Sequence, residues 1–256
     1  MPSRRGWSVY DESRGGITGA KRLPALRACR VRYGSEPIAG AASPEIEITL
    51  PDGTLVASGA GEAAARLSEL LGRPVSLRSL GPAGSEAAPR IHSGEESPEA
   101  LLAMQGLLPG EPVADMSAFP SERLRRLRQG NFFDALPIHL LTRTTLRTLA
   151  ALAPESVWDE RRFRPNLVVD AVEEEGYPEL AWIGRRLAVG DAELEVVAGC
   201  PRCVMVTQPV DELAEDPRVM RTLVREAEHT AGIYASVVGE GAVKAGDEIR
   251  LLEVAS

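Results

Sequence analysis

Cys200-Pro201-Arg202-Cys203 is the stretch whose residue types could do the most chemistry: two thiols in a C-x-x-C spacing with a guanidinium between them. The largely apolar run Leu194–Val197 precedes it and Val204-Met205-Val206 follows, which predicts that both sulfurs sit where two strands meet. Such a pair has four explanations: a redox dithiol, half of a zinc site, two packed cysteines, or a thiolate ligand to another soft metal. A thioredoxin-like dithiol opens a helix, whose N-terminus lowers the thiol pKa, whereas the residues after Cys203 read as strand. A closed zinc site takes about four ligands, and Cys29, His92, His139 and His229 show no second ligand spacing. Ligation and inert packing then stand about even, because a free cysteine buries as readily as a small hydrophobe. Arg202 tips the balance toward function, since a nearby cation stabilises the thiolate that binds metal or attacks sulfur.

Upstream, Arg162-Phe163-Arg164-Pro165-Asn166-Leu167-Val168-Val169-Asp170 sets two cations and an amide just before a β-branched strand, with Pro165 fixing φ and removing one backbone donor. Arg164 offers a planar donor fork and Asn166 a donor–acceptor amide, groups that suit a fused heterocycle edge or a phosphate. They would equally cap strands and pair with a neighbouring carboxylate. Thr142, Thr144 and Thr145 lie at a strand-to-helix turn, where hydroxyls either cap the helix or donate to an anion at its N-terminus. His139 alternates with apolar neighbours as a packed strand residue does, and His229 falls late on a helix, where a cation complements the dipole.

The elements that must position these groups are short. Trp7–Asp11 reads as a strand with Gly15-Gly16 as a turn behind it; Ile46, Ile48 and Leu50 alternate with polar residues up to the turn Pro51-Asp52-Gly53, and Leu55 begins a return strand. Glu62–Leu71 is a helix ended by Gly72 and Pro74, and Pro74–Leu77 is a further strand. Residues 81–98 lose all periodicity. A helix over Glu99–Leu107, a charged turn of helix over Ser121–Gln129 and a strand over Pro137–Thr142 follow, then a helix over Thr144–Leu152. Asp216-Pro217 opens another helix with Met220, Leu223, Val224 and Ala227 as its apolar stripe and Gly232 as its stop. Ile233–Val238, Ala242–Lys244 and Ile249–Leu252 are closely spaced strands, as in a small barrel.

Composition narrows the classes. The 256 residues are 44% hydrophobic and 26% charged, enough for a sizeable core in one large or two small domains. A formal charge of −8 argues against nonspecific nucleic-acid binding, and the one basic cluster, Arg123–Arg128, reads as a solvated helix face. No apolar run reaches the roughly 18 residues of a membrane span, and residues 1–20 lack the core of a secretory signal, so no membrane partner and a cytoplasmic location are expected.

From about Phe132 to Leu252 the chain resembles a MOSC domain, the C-terminal domain of molybdenum-cofactor sulfurases. The resemblance rests on Phe133-Asp134, Leu141-Thr142, Arg162–Asn166, Trp182-Ile183-Gly184 with Gly190, Cys200–Cys203 and Gly246-Asp247. Residues 7–80 are similar to the β-barrel domain that precedes it in longer members. The implied fold is α+β and β-rich, with a truncated N-terminal β domain over 1–80, a linker over 81–115 and the MOSC β-barrel over 116–256. In the mitochondrial amidoxime-reducing and bacterial YcbX-like members, the cysteine after Pro-Arg ligates molybdenum and the Arg-Pro-Asn segment contacts the pterin. That assigns Cys203 as metal ligand and catalytic residue, and Arg164 and Asn166 as contacts to the molybdenum cofactor (molybdopterin); Arg202 beside the thiols and Thr142 and Thr145 at the helix start are expected as further contacts.

The resemblance leaves two activities open. One is an oxidoreductase acting on N-hydroxylated or similarly N-oxygenated small molecules, fed by an external electron-transfer protein or domain because the sequence shows no flavin, haem or iron–sulfur motif. The other is a sulfur-carrier or cofactor-handling module holding a persulfide on Cys203 or Cys200, with no turnover. Longer members open with a strand, a Lys-Ser loop and a Gly-Asp-Arg-x-Trp stretch. Arg4-Arg5-Gly6-Trp7 looks like the tail of that stretch, so Arg5 is expected as a further cofactor contact on a shortened, weakly binding terminus.

Overall fold

The computed structural model describes residues 6–38, 40–81, 97–114, 117, 119, 132 and 135–252. Arg5, His92, Phe133-Asp134 and the stretch Ser121–Gln129, expected as a charged turn of helix, lie outside the described residues. The chain divides into two compact units, Met1–Leu101 with Arg128–Phe133, and Leu102–Leu127 with Asp134–Ser256.

The first unit holds two three-stranded antiparallel sheets. β1 (Trp7–Asp11) lies between β2 (Gly16–Thr18) and β6 (Val75–Ser79), and β4 (Ile46–Thr49) between β3 (Arg30–Tyr33) and β5 (Leu55–Ala57). The alternation of β4 sends Ile46 and Ile48 inward, where they meet Val56, Val75 and the Ala63 and Leu67 face of α1 (Gly61–Leu71). Gly72, at φ 65°, ends α1 in the left-handed turn that a residue without Cβ adopts freely.

The second unit is built on six strands in the order β12-β9-β10-β11-β7-β8, an open half-barrel. These are β7 (Ile138–Thr142), β8 (Leu167–Val169), β9 (Arg186–Val189), β10 (Ala192–Pro201), β11 (Thr230–Gly239) and β12 (Ile249–Leu252). All neighbours run antiparallel except β7 and β8, a parallel pair that requires a crossover. Alternation on β7 places Leu140 in the cluster with Leu187, Val196 and Ile233. Leu141 instead joins the cluster under the helices with Leu149, Phe163, Val206, Met220 and Leu223. The helices are α2 (Pro98–Gln105), α3 (Arg143–Leu152), α4 (Glu160–Phe163) and α5 (Pro217–Glu226). Pro217 stands at the start of α5 behind Asp216, whose carboxylate accepts the Arg218 N–H at 3.0 Å.

Three expectations change. Val204–Thr207 is a 3₁₀ turn, not a strand, and Ala242–Lys244 forms no strand. Gly232 does not stop the helix: α5 ends at Glu226, and Gly232 lies inside β11 at φ 81°, where a Cβ would come 2.5 Å from Leu140 O and from His139 Nε2. Leu107 lies in the helix-side core of the second unit, and Arg221 donates to Gly106 O and to the Glu111 carboxylate.

Candidate metal and cofactor site

The two cysteines of the C-x-x-C are unlike. Cys200 is the last residue but one of β10, where a register shift between Gly199 and Pro201 breaks the ladder to β11, and its side chain is 0% exposed. Cys203 leads into the Val204–Thr207 turn with extended backbone (φ −137°, ψ 178°), is partly exposed, and makes no hydrogen bond through its sulfur among the described residues. Burial pushes the Cys200 thiol up, and Arg202 offsets only part of that rise. Cys200 is therefore held as a neutral thiol, and Cys203 is the accessible one.

Between them, Arg202 is turned inward. One end of its guanidinium donates to Cys200 Sγ at 2.7 Å and lies 3.3 Å from His139 Nε2; the other donates to Phe163 O at 2.7 Å. Its backbone N–H donates to His229 O at 2.7 Å, and its Cζ stands 5.4 Å from the Phe163 ring centroid. Its buried Nε has no hydrogen-bond partner among the described residues. The cation that the sequence sets beside both sulfurs thus bonds the buried one.

Phe163 ends α4, and the next residue, Arg164, adopts the left-handed region (φ 55°, ψ 49°) that side chains seldom enter. Arg162 grips this turn from within: it is 3% exposed and donates to Val157 O, Gln208 O and Ala214 O at 3.1, 3.2 and 2.8 Å. Arg164 itself is exposed, and its guanidinium has no partner among the described residues. Asn166 extends the β7–β8 ladder by one rung, its N–H donating to His139 O (2.7 Å) and its Oδ1 accepting the His139 N–H (2.9 Å). Trp158 stacks on Phe163, centroids 6.1 Å apart and planes 18° apart.

The threonines face elsewhere. Thr142 caps α3 by accepting the Thr145 N–H at 3.1 Å, and both hydroxyls bond the Glu179 carboxylate, at 2.6 Å from Thr142 and 2.7 and 2.8 Å from Thr145. All three residues are 0% exposed. Glu179, missed in the sequence reading, follows Pro178 in a 3₁₀ turn, and nothing in that pattern signals a buried carboxyl. His139 is packed as expected, 2% exposed, its ring 3.2 Å from Ala231 O. His229 is not on the helix; it lies beyond α5 at φ 64°, 4% exposed, and burial lowers its pKa, so it is a neutral ring and not a dipole-complementing cation.

What remains for an outside ligand is the Cys203 thiol, the Arg164 guanidinium and the side-chain NH2 of Asn166. The Arg202–Phe163 bond carries the residue before Cys203 to the residue before Arg164. Among the described residues no group of three or more His, Cys, Asp or Glu could hold a metal ion, so a metal at Cys203 would bring most of its ligands with it.

The MOSC domain family profile matches residues 128–250. Mitochondrial amidoxime reducing component 2 of Rattus norvegicus is 30% identical over 146 residues, 51% of this chain and 41% of the rat protein. The Bos taurus protein of that name is 28% identical over 152 residues (53% and 42%), and the Homo sapiens one 31% over 133 residues (45% and 37%). The match spans less than half the length of these relatives. Residues 128–250, which include the whole Cys203–Arg164 site, are a MOSC domain, and the chain is distantly similar to mitochondrial amidoxime reducing component 2.

Proposed function

We propose that this protein is a molybdenum-cofactor oxidoreductase that reduces N-hydroxylated or similarly N-oxygenated small molecules, with Cys203 as the protein ligand to the metal. The observation that carries this is the uncommitted Cys203 sulfur on a loop tied to that of an uncommitted Arg164. The donor set fits the group. A soft thiolate suits molybdenum, one protein ligand suffices where a dithiolene supplies others, and an unpaired guanidinium suits an anionic pterin phosphate. The amide hydrogens of Asn166 complement a pterin edge. Thr142 and Thr145, already bonded to Glu179, would act by holding the β7–α3 turn.

When bound, the cofactor supplies the oxygen-atom and electron chemistry that side chains lack. Two electrons and two protons convert an N–OH to an N–H and water, the electrons coming from an external electron-transfer protein or domain. Cys203 binds, Arg164 orients, and Cys200, buried as a neutral thiol, does not compete for the metal.

Expression with an intact cofactor pathway tests the proposal. The chain should carry molybdenum and reduce an aromatic amidoxime with a chemical electron donor; Cys203→Ser should lose both at unchanged melting temperature, a hydroxyl being a harder and less acidic ligand. A Cys203→Ser protein that keeps full metal and activity refutes the ligand assignment. A persulfide on Cys203 in a metal-free chain would support the sulfur-carrier alternative instead.

A further inference from the structure

We propose that Arg202 is a positioning residue that fixes where Arg164 stands relative to Cys203; its purpose rests on the molybdenum-cofactor reading of that pair. Arg164 occupies a left-handed conformation, and it precedes a proline, which restricts it further. Such a turn persists only where its surroundings over-determine it. Two guanidiniums do so here: Arg162 holds the chain behind the turn through three carbonyls, and Arg202 holds the Phe163 carbonyl. The second grip is anchored next to Cys203, because the same guanidinium bonds Cys200 Sγ and the Arg202 N–H bonds His229 O.

The charge state of the clamp argues against mere filling. Arg202 forms no ion pair with any described carboxylate; its guanidinium meets a thiol, a carbonyl and, at 3.3 Å, His139 Nε2, and its Nε has no hydrogen bond among the described residues. A half-buried cation with no carboxylate partner contributes little to stability that a well-packed apolar side chain would not. What a planar fork adds is geometry: it spans two acceptors on different elements at a fixed separation, which the single ammonium of lysine cannot.

Hydrogen exchange on the full chain, followed by mass spectrometry, tests the clamp without relying on activity. Arg202→Lys and Arg202→Met should each speed exchange in the peptide 160–167, on the order of tenfold, while the sheet peptide 187–197 stays unchanged. In molybdenum-loaded protein, Arg202→Lys should release the cofactor about tenfold faster, but add nothing in an Arg164→Gln background, since it acts through Arg164. Unchanged exchange in 160–167, an equal rise in both peptides, or a cofactor loss additive with Arg164→Gln would each overturn the proposal. A wild-type chain that takes up no molybdenum cofactor would sink the parent reading alone, and the exchange result would still decide the clamp.

Discussion

Alkylation by iodoacetamide should separate the two thiols of the C-x-x-C by at least two orders of magnitude. Cys203 is partly exposed and unbonded, whereas Cys200 is 0% exposed beneath the Arg202 guanidinium. To reach Cys200 the reagent must wait for an opening that breaks the Arg202 bonds to Cys200 Sγ and Phe163 O. At about 1.5–3 kcal/mol for each bond to a charged group, the opening costs about 3–6 kcal/mol. With 1.4 kcal/mol per factor of ten, the reactive population falls roughly a hundredfold to ten-thousandfold. The thiolate is the reacting form, and burial pushes the Cys200 thiol up, which slows it further. Peptide mapping of a labelling time course on metal-free protein reads both rates in one sample. Comparable rates at Cys200 and Cys203, or Cys200 reacting first, would refute the division into a sealed thiol and an available one.

Two further outcomes follow from buried groups. Thr145→Val removes a hydroxyl that donates to the fully buried Glu179 carboxylate, so it should cost about 1–3 kcal/mol, seen in a denaturant titration, with molybdenum content unchanged; lost metal at unchanged stability would instead make Thr145 a cofactor contact. His229 is held neutral mainly by burial, which outweighs the opposing pull of Glu111, while Arg221 adds to the lowering. The unfolded chain gains a proton near the ordinary histidine value of 6.5 that the folded chain resists, so stability is present above that value and falls as pH drops below it. His229→Asn, which tolerates the left-handed backbone, should flatten the loss between about pH 7 and pH 5 in paired thermal melts; an unchanged slope would assign the acid sensitivity to other groups.

Much of the fold was legible because it is written locally. The alternation through Ile46 and Ile48, the helix stop at Gly72, a threonine cap at Thr142 or Thr144, which the structure gives to Thr142, and the Asp216-Pro217 start each depend on residues within a few positions. The misreadings come from distant partners. Val204-Met205-Val206 has strand composition but turns as 3₁₀, with Arg162 holding the Gln208 carbonyl just beyond it. Gly232 looked like a helix stop because nothing nearby shows that His139 and Leu140 crowd its missing Cβ. At the site, the spacing of Cys200 and Cys203 was plain, but which sulfur is sealed depends on a shifted ladder and on the direction of one side chain. Glu179 was invisible for a like reason: a lone carboxylate after a proline reads as surface until two threonines of the distant β7–α3 turn close over it.

The stack of Trp158 on Phe163 gives the molecule an optical reporter of its own. The indole donates to Ala153 O at 3.0 Å and lies nearly parallel to the ring beside which the Arg202 cation sits. Of the other two tryptophans, Trp7 lies in the first unit and Trp182 in the cluster on the sheet, so neither senses that ring. A variant keeping Trp158 alone would turn any shift of the Phe163–Arg164 turn into a change in emission and near-ultraviolet dichroism, letting cofactor loading be followed in real time without an attached dye.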